Sequence, residues 1–208
     1  MRSRSRTVLA MSFIGLAAFL GSTLWPPRAA PQDAPHDGAS SGQPSSGQPS
    51  SDVLEDRRAS FEGTWRLEQS PREARQVIDA AVDRTVEAMS FFVRGIARSR
   101  LREGTPTQRE IELRFVGDDR VTVRFGENDG YTTTLGRTEV RVNPEGQRMR
   151  VTQRFRPGGQ LVQAFETDQG SRTYVYTPTG EGRLHLETTT GSPRLPRPMY
   201  FELDYTRR

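Results

Sequence analysis

From residue 109 to the C-terminus the apolar residues fall on every second position, and this period constrains the fold more than any other feature of the chain. Ile111, Leu113 and Phe115 alternate with Glu110, Glu112 and Arg114, and Val121, Val123 and Phe125 alternate with Arg120, Thr122 and Arg124. A period of two puts successive side chains on opposite faces of a strand, so one face is buried while the charged face meets water. Gly117-Asp118-Asp119 makes the turn between these two runs. Met149, Val151 and Phe155 repeat the pattern against Arg148, Arg150 and Arg154, and strands over 161–165, 172–177, 184–188 and 199–205 follow, separated by Gly-containing turns. A short strand at 131–135 is read as merging with 139–142. About nine strands at spacings of ~8–12 residues predict an antiparallel meander, closed into a barrel or strongly curved.

Before residue 109 the period is helical. Phe61, Gly63, Trp65 and Leu67 share one face of a first strand, and Ser70-Pro71-Arg72-Glu73 then supplies an N-cap, a proline at the first helical position and a capping box. Ile78, Ala81, Val82, Val86, Met89, Phe92, Val93 and Ile96 recur at spacings of three and four, which predicts one amphipathic helix over 71–102 that buries this stripe. Arg94, Arg98, Arg100 and Arg102 suit its C-terminal dipole, and Gly104 and Pro106 end it. The fold class is therefore mainly β with one long helix between strands 1 and 2.

The first sixty residues read differently. Arg2, Arg4 and Arg6 precede an apolar run over 8–25, the pattern of a signal peptide or, left uncleaved, of an N-terminal membrane anchor. Residues 26–59 are rich in Pro, Ser, Gly and Gln and contain a tandem Ser-Ser-Gly-Gln-Pro repeat, a composition that cannot offset the entropy of ordering. The expected organisation is a signal or anchor at 1–25, a disordered linker at 26–59 and a β domain at 60–208. The basic segment ahead of the apolar run places that domain outside the cytoplasm, in the periplasm or beyond, and where the segment is retained its partner is the membrane. The chain has no Cys, which excludes a lipid-modified cysteine and disulfides. Its formal charge is +4, but of 30 basic residues three lie at positions 2, 4 and 6, and the remaining 27 face 26 acids in an interleaved pattern. No basic face for nucleic acid follows from that.

Within the β domain, the opening Phe61-Glu62-Gly63-Thr64-Trp65, a helical insert after the first strand and a meander to the C-terminus resemble the calycin group, lipocalins and fatty-acid-binding proteins. Leu161-Val162-Gln163 and Arg172-Thr173-Tyr174 look like late-strand elements of that group, although its carboxylate-binding Arg-x-Tyr lies on the last strand and two further strands follow here. The resemblance implies a lipocalin-like domain of a bacterial envelope protein. It also implies that a late arginine packs over the Trp65 indole, and strand parity makes Arg207 the candidate. Trp65 itself is expected to close one end of the barrel, with Gly63 allowing close approach of a neighbouring strand.

The chemistry legible in the chain is sparse. His185 is the sole histidine of the domain and lies at the polar positions of its strand, so a metal site is not expected. No Gly-x-Ser-x-Gly elbow or phosphate loop occurs, which removes nucleophilic and phosphoryl-transfer enzymes from consideration. No catalytic residue and no cofactor is expected. Arg172, Tyr174 and Tyr176 share a strand face. Pointing inward, they would hold an acidic head group; otherwise the tyrosines are cross-strand packing partners and Arg172 pairs with an acid such as Glu166 or Glu187. Two functions follow from these alternatives. One is a module that binds a small apolar or amphipathic ligand without catalysis. The other is a structural or protein-interaction domain of the envelope with a helix-filled core and no cavity.

Overall fold

A computed structural model describes residues 51–208 except 129, 143–145 and 181. The expected signal or anchor and the linker as far as residue 50 lie outside the described residues. The last nine residues of that linker are helical: α1 covers Ser51–Phe61, so the domain starts nine residues earlier than the sequence predicts. Phe61 consequently ends a helix rather than starting a strand, and β1 is Gly63–Leu67.

The alternation over 109–208 builds β2 (Glu110–Val116), β3 (Arg120–Phe125), β4 (Tyr131–Thr134), β5 (Thr138–Val142), β6 (Arg148–Phe155), β7 (Leu161–Thr167), β8 (Gly170–Pro178), β9 (Arg183–Gly191) and β10 (Met199–Arg207). All ten strands form one antiparallel sheet in the order β4-β3-β2-β1-β10-β9-β8-β7-β6-β5. The first strand thus pairs with the last, with Trp65 opposite Arg207 and Leu67 opposite Tyr205. This pairing joins the two halves of the sheet, and the approach of edge strand β4 to β5 and β6 curls it into a nearly complete barrel.

The seam falls where the sequence predicts one merged strand. Gly136, at φ 77°, turns the chain between β4 and β5, and the two short strands end up on opposite edges of the sheet. Side chains bridge the gap. Thr134 N donates to Glu139 Oε1 at 2.9 Å, Arg141 Nη2 to Thr132 O at 2.8 Å, and Thr133 Oγ1 to Gln153 Oε1 at 2.7 Å. Such bridges protect edges that would otherwise present unpaired backbone groups.

The predicted single helix is two. α2 spans Pro71–Val86 and α3 spans Phe91–Glu103, antiparallel and tied by ion pairs from Asp83 to Arg98 (2.7 Å) and from Asp79 to Arg102 (3.1 Å). The Ser70–Glu73 capping box forms as the sequence predicts, and its hydrogen bonds hold the Glu73 carboxyl below the usual carboxylate range. Ile78, Ala81, Val82 and Val86 are buried and α2 packs on β10. The break at 87–90 resets the helical phase, so α3 buries Ala97 and Leu101 instead. Phe92 and Ile96, expected in the stripe, are exposed, Phe92 by 87%. Helices α2 and α3 lie at the rim that carries the β7–β8 and β9–β10 connections. Helix α1 lies at the opposite rim, where Arg58 meets Asp118 and Arg57 sits over the Phe155 ring.

Candidate ligand mouth and barrel interior

The two rims differ in kind. At the α1 rim Trp65, 1% exposed, donates from Nε1 to Phe61 O at 2.8 Å, and the Arg207 guanidinium stands 4.7 Å from the indole centroid. Arg207 Nη2 also donates to Ser60 O (2.8 Å) and Ala59 O (3.1 Å). Those are the last carbonyls of α1, where a cation suits the helix dipole. Gly63, at φ 135°, lies against the Arg207 side chain, and a Cβ there would stand 3.9 Å from its Cγ and Nε. This rim is sealed: strand, helix terminus and last strand lock together over Phe61 and Phe155, whose rings are 5.6 Å apart.

The α3 rim opens into a cavity of about 90 Å³ lined by Arg100, Leu101, Ser171, Arg172, Thr190 and Leu195, among others. Arg172, the third residue of β8, shares the inner face with Tyr174 and Tyr176 and donates from Nε to Thr190 Oγ1 at 3.1 Å and from Nη2 to Thr105 Oγ1 at 3.5 Å. Arg75 of α2 fixes the roof by donating to the carbonyls of Arg102 and Thr105. The mouth therefore combines two guanidiniums, several hydroxyls and two leucines. That combination suits a small anion with a short apolar part.

The structure brings the three candidate residues of β8 to one face and distributes them by depth. Arg172 is at the mouth, Tyr174 one row beneath it, and Tyr176 one row deeper and fully buried. Burial pushes the Tyr176 phenol well above its ordinary pKa, so it stays protonated and donates to Gln163 Oε1 at 3.1 Å. Glu166 pairs with Arg150 at 3.0 Å and Glu187 accepts from the Tyr200 hydroxyl at 3.2 Å, while Arg172 is held by Thr190 and Thr105.

Sequence reasoning missed the middle of the barrel. Ladder pairing aligns Gln153, Gln163, Tyr174, Thr188 and Phe201 across β6 to β10 in a single row. Gln153 is satisfied: Oε1 accepts from Thr133 and Nε2 donates to Tyr131 O at 3.3 Å. Gln163 Nε2 and Thr188 Oγ1 are buried and find no hydrogen-bond partner among the described residues. A buried polar atom left that way costs about 1–3 kcal/mol. The signal was present in the sequence, since Gln163 stands at the inward parity between Leu161 and Phe165, and Thr188 at the inward parity after Leu184 and Leu186. Around the row the barrel is filled by rings from the strands themselves, with Tyr174 5.1 Å from Phe125 and 6.0 Å from Phe165. The helix-filled core expected for the structural alternative is not what occupies it.

His185 lies on the outer face, where Nδ1 meets Asp204 Oδ1 at 2.7 Å. Among the described residues no cluster of His, Cys, Asp or Glu is arranged to hold a metal, and no helix is long and apolar enough to cross a membrane.

The sequence matches no family model and no curated protein. Solved structures similar to the chain include fatty-acid-binding protein 1 of Echinococcus granulosus, at 13% identity over 72% of this chain and 98% of that one, with a TM-score of 0.47. Another is the Schistosoma mansoni fatty-acid-binding protein in complex with arachidonic acid, at 16% identity over 73% and 98%, with a TM-score of 0.43. A third is apo lipid-binding protein 8 of Caenorhabditis elegans, at 13% identity over 72% and 96%, with a TM-score of 0.43.

Proposed function

We propose that this domain is a non-catalytic binding module, exported from the cytoplasm, that takes a small amphipathic carboxylate head-first at the α3 mouth. The observation that carries the reading is the inward Arg172 in the lining of a cavity that also presents hydroxyls and the side chains of Leu101 and Leu195. A guanidinium among hydroxyls recognises a carboxylate by charge-assisted hydrogen bonds. At about 90 Å³ the cavity takes a head group and a short chain, and it is well below the several hundred Å³ of a pocket for a drug-sized ligand. A longer tail must displace the Phe125 and Tyr174 rings. Calorimetric titration of the full chain with hexanoate tests the reading. Saturable binding, weakened at least tenfold by Arg172→Gln with the melting temperature retained, supports it; no binding, or binding indifferent to that substitution, refutes it.

A second reading, an interaction domain without ligand, is favoured by the ring packing inside the barrel. It predicts that no carboxylate titrates the mouth.

A further inference from the structure

We infer that the ligand carries a neutral oxygen, hydroxyl or carbonyl, about six bonds from its carboxylate, and that Gln163 and Thr188 bind it. This rests on the mouth reading and adds a second anchor beneath it. Gln163 and Thr188 are 0% and 1% exposed, on strands β7 and β9 that flank β8, in the row directly under Arg172. Gln163 Oε1 is occupied by the Tyr176 hydroxyl, which leaves the amide nitrogen as a donor without an acceptor; Thr188 Oγ1 lacks any partner among the described residues. Buried polar groups are nearly always paired, so two unpaired ones in one row point to a molecule that pairs them when bound.

The chemistry of that molecule follows from the row. Its members are Gln, Tyr, Thr and Phe, with no charged side chain, so a second carboxylate there would be buried without a counter-charge. A hydroxyl oxygen can accept from Gln163 Nε2 and donate to Thr188 Oγ1; a carbonyl oxygen can accept from both. Neighbouring rows on one face lie two residues apart, roughly 7 Å along a strand, a gap bridged by about six bonds of extended alkyl chain. The ligand class is thus a short hydroxy- or oxo-carboxylic acid, or a longer chain bearing oxygen at that distance. Tyr174 stands between the two anchors in the row, and its ring must turn aside to admit the chain.

The experiment compares hexanoate with 6-hydroxyhexanoate on the full chain, by calorimetry and by the side-chain amide resonances of Gln163. In the natural protein 6-hydroxyhexanoate binds at least tenfold more tightly than hexanoate, and it alone shifts the Gln163 amide pair. Gln163→Leu and Thr188→Val, which keep volume, each remove the preference for 6-hydroxyhexanoate over hexanoate. Equal affinities, a preference that survives both substitutions, or a Gln163 amide that never moves overturns the deep anchor alone. Failure of both acids to bind overturns the mouth reading as well.

Discussion

Arg207 shows how much one side chain can join. It stacks on Trp65 and donates to two carbonyls at the end of α1, so it links the last strand, the first strand and the preceding helix. Its stacking on Trp65 is an exposed cation–π contact, worth about 0.5–1 kcal/mol. Arg207→Ala is therefore expected to lower stability by about that amount and to shift Trp65 fluorescence; an unchanged spectrum would contradict the contact. Tyr176 and Tyr205 supply a pH prediction. Burial raises both phenols, so the folded chain keeps protons that the unfolded chain releases near pH ~10. Their stabilisation is complete below that pH and is lost as pH rises above it. In an alkaline titration these two phenolates should appear only as the fold is lost, and ionisation of all five tyrosines before unfolding would show the burial to be wrong. At this scale the sequence was partly legible. Strand parity put Arg172, Tyr174 and Tyr176 on one face, but parity alone could not show that Gln163 lies beside Tyr174, because a row is set by register between strands.

At the scale of elements, local signals were legible and phase was not. The capping box fixed the start of α2, yet Ile78 to Ile96 read as a continuous stripe because the apolar spacing happens to persist across the break at 87–90. Helix α2 ends at Val86 and α3 returns along it, tied by the Asp83–Arg98 and Asp79–Arg102 ion pairs, an arrangement that helical spacing alone does not encode. Phe92→Ala is accordingly expected to change stability by no more than ~0.5 kcal/mol, the range of surface sites. Thermal or denaturant unfolding reads this directly, and a loss of several kcal/mol would mean that the residue is buried after all. Ser70→Ala should cost about 1 kcal/mol, the usual worth of an N-cap, and the capping-box contribution of Glu73 should fade as pH falls through its lowered pKa. Strands β4 and β5 failed to separate in the sequence for a similar reason. Gly136 is visible there, but its placement of the two strands on opposite edges depends on barrel closure.

The whole molecule is a barrel sealed at one rim by α1 and open at the other beneath α3, joined through α1 to an N-terminal extension of some fifty residues. The basic and apolar composition of residues 1–25 supports export, and a C-terminal alkaline phosphatase fusion should be active; an inactive fusion would exclude it. The order of strand, helical insert and meander was legible because each element carries its own period, whereas the contents of the barrel depend on which inward residues share a row. Entry of a carboxylate at Arg172 is read at the Arg172 Nε–H resonance of the full chain, followed as hexanoate is added. A saturable shift shared by the backbone amides of Ser171 and Thr190 is the predicted result, and shifts confined to the outer face, or none at all, would contradict it.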